Sequence, residues 1–96
     1  MNRYAKMRRV NAKLRKEWES KGWIVHFEPH SRFHKDMFGL FDGVLLRPMD
    51  EPHFFQVKSN CWPKLKPYED FVKKWKCTAL LVRYRDRKGF DYRVIE

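Results

Sequence analysis

Acidic residues are scarce in this chain. Twelve Asp and Glu stand against 22 Lys and Arg among 96 residues, for a formal net charge of +10. That balance excludes an acidic, self-solvating chain and points to a polyanionic partner. Cysteine is scarcer still. Cys61 and Cys77 are too few and too far apart for a disulfide framework, lack zinc-site spacing, and suit free thiols in a reducing cytoplasm. No apolar run is long enough to span a bilayer. No hydrophobic region follows the basic start MNRYAKMRR, so no signal peptide is expected. Repeats, low-complexity tracts and linkers are absent too. Aromatic residues, in contrast, reach 17% and hydrophobic residues 43%, which argues against disorder. The length suits one domain over residues 1–96.

The charge is unevenly spread. Residues 1–21 hold eight Lys/Arg and two Glu, and residues 63–96 hold ten Lys/Arg and five acids. Residues 22–62 hold four Lys/Arg and five acids. Basic flanks attract nucleic acid, and an acidic centre could hold a divalent cation beside it. The plainer reading is a solvated basic surface.

Tyr4, Met7, Val10, Leu14 and Trp18 recur at helical spacing and predict an amphipathic helix over 3–21, with Asn2 as a cap and Gly22 as the stop. Arg8, Arg9, Lys13, Arg15 and Lys16 fall mostly outside the stripe. Trp23–Phe27 reads as a strand ending by Pro29, and 30–41 as a loop. Asp42–Arg47 and His53–Ser59 read as an antiparallel hairpin around the turn 48–52. After a loop at 60–66, Pro67 opens a second helix, with Glu69 and Asp70 favourable near its start. Tyr68, Phe71, Val72 and Trp75 form its core-facing stripe. Thr78–Val82 reads as a central buried strand, 86–89 as a turn, and Phe90–Ile95 as the last strand. The order α-β-β-β-α-β-β predicts an α/β class with a mixed sheet flanked by helices.

The stretch from Lys35 to Asn60, KDMFGLFDGVLLRPMDEPHFFQVKSN, carries the chemistry. Strand alternation turns Gln56 and Lys58 the same way, with Val57 opposite. Asp42 begins the neighbouring strand, so the hairpin brings it beside that pair. Two oxygen ligands could hold Mg²⁺, which would polarise a phosphodiester and acidify a water. Lys58 could orient that water or offset charge developing on the phosphate.

This arrangement resembles the PD-(D/E)XK nuclease superfamily, and within it the small archaeal Holliday-junction-resolvase-like proteins. There a hairpin carries an Asp, then an acid or Gln, one residue, and a Lys; here FDGVLL carries Asp42 and FFQVKS carries Gln56 and Lys58. The order of elements extends the likeness over most of the chain. The resemblance implies a restriction-endonuclease-like fold and an intracellular, Mg²⁺- or Mn²⁺-dependent deoxyribonuclease of recombination or repair. It implies Asp42, Gln56 and Lys58 as catalytic residues. Asp42, Gln56 and the Val57 backbone carbonyl would be the metal ligands, with Glu17 on the first helix as an additional candidate. Most relatives have Glu where Gln56 stands, and a neutral amide is a weaker ligand for a hard cation. Glu28 and Asp36 are further acids near the site in sequence.

Plainer readings stand beside these. Gln56 and Lys58 could be exposed residues of an edge strand, Asp42 a turn residue, and Glu17 a partner of Lys13 or Lys21. His26, His30 and His34 are spaced by four, but Pro29 breaks a helical metal site, leaving them as loop or strand residues. Candidate nucleic-acid contacts are Arg8, Arg9, Arg32, Lys35, Ser59, Asn60 and Lys64, with His30, Ser31 and His34 beside them. Trp62 could touch DNA or cover the core. The expected partner is DNA, with a homodimer as the assembly the resemblance admits, and neither a membrane nor an organic cofactor. The rival functions are a non-catalytic DNA-binding module on the same fold, and a basic ribonucleoprotein component.

Overall fold

A computed structural model describes residues 3–29 and 36–96, with the backbone alone for Arg3 and Tyr4. The expected cap Asn2, the side chain of Tyr4, and His30, Ser31, Arg32, His34 and Lys35 therefore lie outside the described residues. The elements run α1 (Arg3–Ser20), β1 (Ile24–Phe27), β2 (Gly43–Leu46), β3 (His53–Ser59), α2 (Lys66–Trp75), β4 (Thr78–Arg85) and β5 (Gly89–Ile95). This is the α-β-β-β-α-β-β order that the hydrophobic periods predict.

The strands form one sheet in the order β1-β2-β3-β4-β5. All pairs are antiparallel except β3 with β4, which run parallel across the connection through α2. A parallel pair needs such a crossover, and α2 supplies it. One helix packs on each face. Val10, Leu14 and Trp18 of α1 meet Val25, Leu45, Phe55, Val57, Leu80 and Val82. Tyr68 and Val72 of α2 meet Phe41, Ala79 and Leu81. β4 thus feeds both layers, and residues 78–82 are all buried, which is why they read as an unbroken apolar run.

Gly22 ends α1 at φ 90°, and the Trp23 amide donates back to the Trp18 carbonyl at 3.1 Å. That closure satisfies the orphan carbonyls of the last turn. At the other helix the structure corrects the sequence. Trp75, expected in the core, is 61% exposed, its ring meeting Phe71 and the Lys74 ammonium of its own helix. α2 also starts one residue earlier, at Lys66. The last two strands are longer than expected: β4 continues through Arg83, Tyr84 and Arg85 because β3 and β5 pair with it there.

The core faces of β1 and β2 point to α1, while Ile24 and Leu46, paired across the opposite face, stay exposed. Phe38, Phe54, Phe71 and Trp75 continue that apolar surface as a chain of ring contacts.

Candidate active site

β3 is the middle strand of five, so the edge-strand reading of Gln56 and Lys58 does not hold. Its register with β2 ends at Gly43 opposite Phe55, leaving Gln56–Ser59 to overhang the start of β2. Asp42 sits in that notch. Its amide donates to the Phe55 carbonyl at 2.7 Å, and its carbonyl accepts from the Glu28 amide at 2.7 Å. Its side chain accepts from the Val57 amide, N to Oδ2 2.7 Å. Two backbone bonds and one side-chain bond thus fix this residue, which is only 8% exposed. In a strand the N–H and C=O of one residue point to the same edge, so the Val57 carbonyl also faces the notch.

Gly43 makes the notch possible. A Cβ there would run into the His26 carbonyl oxygen and come within 2.7 Å of the Phe55 ring. Only glycine lets β1 and β3 close on β2 at this level.

Gln56 completes the pair. With its amide nitrogen turned inward it donates to Asp42 Oδ2 at 3.3 Å and to the Leu40 carbonyl at 2.8 Å. The reverse orientation would set the amide oxygen against two acceptors. The Leu40 carbonyl also accepts from the Tyr68 hydroxyl at 3.0 Å. Burial pushes the Tyr68 phenol up to about 12, helped by the charges of Asp42 and then Asp36. Tyr68 therefore ties α2 to the loop that delivers Asp42. Sequence reasoning missed this, since the helical period marks Tyr68 as core and is silent on its hydroxyl.

Lys58 follows on the same strand, exposed, opposite Arg83 of β4. It lines a cleft of about 360 Å³ with Lys6, Met7, Val57, Ser59 and Cys61. Among the described residues no acid forms an ion pair with it.

Other candidates go elsewhere. Glu17 pairs with Lys21 at 3.5 Å and lies close enough to the Tyr92 hydroxyl to act on its ionisation. That places it on the α1 side over β5, away from Asp42. Burial first, then this carboxylate, pushes Tyr92 up to about 12. The Asn60 amide bridges to Asp86, Nδ2 to Oδ2 3.1 Å, with the Asp86 amide returning to Oδ1 at 3.2 Å. Asn60 also donates to the Ser59 hydroxyl at 3.3 Å. These two residues fasten the β4–β5 turn, and the Asn60 side chain is committed there. Arg8, Arg9 and Lys64 are exposed, and Arg9 lines a basic cleft with Lys6, Lys13 and Arg87. Glu28 reaches Asp42 through its backbone, while its side chain meets His26 at 3.4 Å. Trp62 is half-buried against the second core cluster.

Among the described residues no group of three or more His, Cys, Asp and Glu is placed to hold a metal ion. Among the described residues the oxygens at the notch are the Asp42 carboxylate and the Val57 carbonyl, with the Gln56 amide beside them, its nitrogen inward. That set fits a magnesium-like cation, which needs only one or two carboxylates and keeps several waters.

No family profile matches the chain, and no curated protein matches its sequence. Its fold does match a solved structure, that of Hjc from Archaeoglobus fulgidus, a Holliday junction resolvase from an archaeal hyperthermophile. The TM-score is 0.65 at 13% sequence identity, covering 88% of this chain and 74% of that one. The likeness shows the fold: a mixed five-stranded sheet between two helices, arranged as in a resolvase.

Proposed function

We propose that this protein is a divalent-metal-dependent endonuclease that hydrolyses DNA phosphodiester bonds inside the cell, with branched or junction DNA as the favoured substrate. The observation that carries the reading is the Asp42 carboxylate, buried in the strand notch beside Gln56 and the Val57 carbonyl, in a fold shared with a resolvase. Asp42, Gln56 and the Val57 carbonyl would hold the cation, Mg²⁺ or Mn²⁺. When bound, it would neutralise charge on the phosphodiester and acidify a water. Gln56 would have to turn its amide over to ligate, because its nitrogen now faces Asp42. Lys58, exposed two residues further along β3, would offset the charge that develops on the phosphate. The basic flanks would supply most of the affinity, since phosphate contacts position the duplex.

A panel of linear, nicked, flapped and four-way-junction DNAs, incubated with Mg²⁺ or Mn²⁺, tests this reading. Asp42→Asn and Lys58→Ala are expected to lose cleavage while still binding DNA in chelator. Asp42→Asn keeps an acceptor for the Val57 amide and removes only the charge. Full cleavage by either variant would remove the proposed site, and an inactive parent that binds DNA would favour the non-catalytic module.

A homodimer is the assembly we propose with it, supported by the exposed apolar surface of Ile24, Leu46, Phe38 and Trp75. Light scattering that returns the monomer mass at high protein concentration would overturn that part.

A further inference from the structure

The outer face of the sheet carries a second basic group beside the notch. Lys58 stands opposite Arg83, and Arg83 opposite Asp91. One row back, Gln56 stands opposite Leu81, and Leu81 opposite Arg93. Arg93 is thus two strands from Gln56, or about 10 Å at the usual strand spacing. The Trp62 ring lies between these rows. The Arg83 guanidinium rides 4.8 Å from its centre and that of Arg93 5.0 Å.

The two arginines differ in what their edges do. Arg83 is used: Nε and Nη2 donate to Asp91 Oδ2 at 3.0 and 2.8 Å. Arg85 Nη2 takes the other oxygen at 3.1 Å. These bonds, the Arg83 hydrogen bond first, hold the Asp91 carboxyl below its ordinary range. Arg93 is stacked yet exposed, and none of the described acids pairs with it. Stacking engages the face of a guanidinium and leaves its N–H edge free for an oxyanion. Among the described residues Asp91 is the acid that pairs with Arg83 and Arg85, and no acid pairs with Lys58 or Arg93.

We propose that Trp62 and Arg93, buttressed by the Arg83–Asp91 pair, form a clamp for a backbone phosphodiester of the bound nucleic acid, flanking the Asp42–Gln56 notch. Trp62 is the mount and Arg93 the hand. Trp62 itself takes no base, because its ring is covered by guanidinium and core. The clamp rests on the nucleic-acid-binding part of the proposed function and is independent of cleavage.

Fluorescence anisotropy of the full chain with a labelled DNA duplex and a labelled four-way junction, in chelator over a series of salt concentrations, tests it. Arg93→Gln is expected to bind roughly 5-fold more weakly, with the salt slope reduced by about 0.9, the signature of one lost phosphate contact. Lys88→Gln, which removes an equal charge from the exposed β4–β5 turn, is the control and is expected to change affinity less than about 2-fold. Trp62→Leu keeps every charge and is expected to weaken binding by about 3-fold through loss of the stack. Circular dichroism of each variant checks that the sheet is intact. If Arg93→Gln and Lys88→Gln behave alike while the parent binds, the clamp is wrong and the functional reading stands. If the parent binds neither DNA, both fall.

Discussion

Replacing Gln56 by glutamate probes the notch without any assay of cleavage. In the parent the Gln56 amide donates to Asp42 Oδ2 at 3.3 Å and to the Leu40 carbonyl at 2.8 Å. Gln56→Glu keeps the size, removes both donors and sets a second carboxylate against the first. Two unit charges at that separation repel by about 5 kcal/mol at an effective dielectric of about 20. Keeping one proton on the pair at neutral pH costs less, about 3.7 kcal/mol, since the group must hold it about 2.7 pH units above a glutamate's ordinary pKa. Protonation wins, and the pair shares a proton in the folded state. The new acid's folded pKa is therefore raised. Its penalty is absent below the unfolded value near 4.3, grows as pH rises, and levels off above the folded pKa. We expect the variant to match the parent at about pH 4. It should then lose about 1.4 kcal/mol per pH unit above that, to a deficit of about 3–4 kcal/mol at pH 7 in chelator. For a chain this short that is a fall in Tm of about 15 °C or more. Millimolar Mg²⁺ or Mn²⁺ should restore much of it, and should raise the Tm of the variant more than that of the parent. Differential scanning fluorimetry over pH 4–8, with and without metal, reads every part. Equal melting of parent and variant in chelator at both ends of the range would refute the inward-facing Gln56, and with it the metal-site geometry.

Two further outcomes follow from the same notch. Gly43→Ala should cost at least about 3 kcal/mol by denaturant unfolding, because the added carbon meets the His26 backbone and the Phe55 ring; a loss under about 1 kcal/mol would show that β1 can move aside. Tyr68, pushed up to about 12 by burial and nearby carboxylates, should contribute stability that is intact below pH 10 and is lost as pH rises toward 12. Tyr68→Phe should flatten that alkaline loss and remove one high-pH step from the phenolate absorbance titration; an unchanged profile would place the ionisation elsewhere, with Tyr92 the next candidate.

Much of the fold is legible in the sequence where burial leaves a period. Val10, Leu14 and Trp18 mark the inner face of α1, and all are buried. The alternation in His53–Ser59 correctly separates Phe55 and Val57, which face α1, from Gln56 and Lys58. The period fails where the missing fact is a neighbour. Trp75 has the spacing of a core residue, but its ring meets Phe71 and Lys74 of its own helix and stays 61% exposed. Arg83 and Arg85 look like the end of a strand, yet pairing on both sides keeps the backbone extended through them. Glu17 sits at the edge of the α1 stripe, and a helix turns about 100° per residue; a small error in the estimated face decides between Asp42 and Tyr92. The convergence of Asp42 with Gln56 is readable, because a hairpin fixes it. The Tyr68–Leu40–Gln56 connection is not, since α2 and the loop meet only in three dimensions.

The acceptor role of Asp42 and its charge can be considered separately. As an acceptor it replaces a backbone carbonyl for the Val57 amide, at 2.7 Å. A neutral asparagine oxygen could do that as well, and a buried amide left without any acceptor would cost about 1–3 kcal/mol. Acceptance therefore accounts for a polar side chain at this position but does not by itself require a charge. Burying a carboxylate at 8% exposure carries a desolvation cost that an amide would not. Gln56 offsets part of it by donating a hydrogen bond, without bringing a second negative charge. A glutamine at that position thus stabilises the carboxylate, whereas a glutamate would add a second negative charge against it. A neutral amide would also hold the proposed cation less tightly than a carboxylate. On the proposed reading, stability without an ion and affinity for one oppose each other at this position, and the paired pH and metal titrations of Gln56→Glu measure the balance.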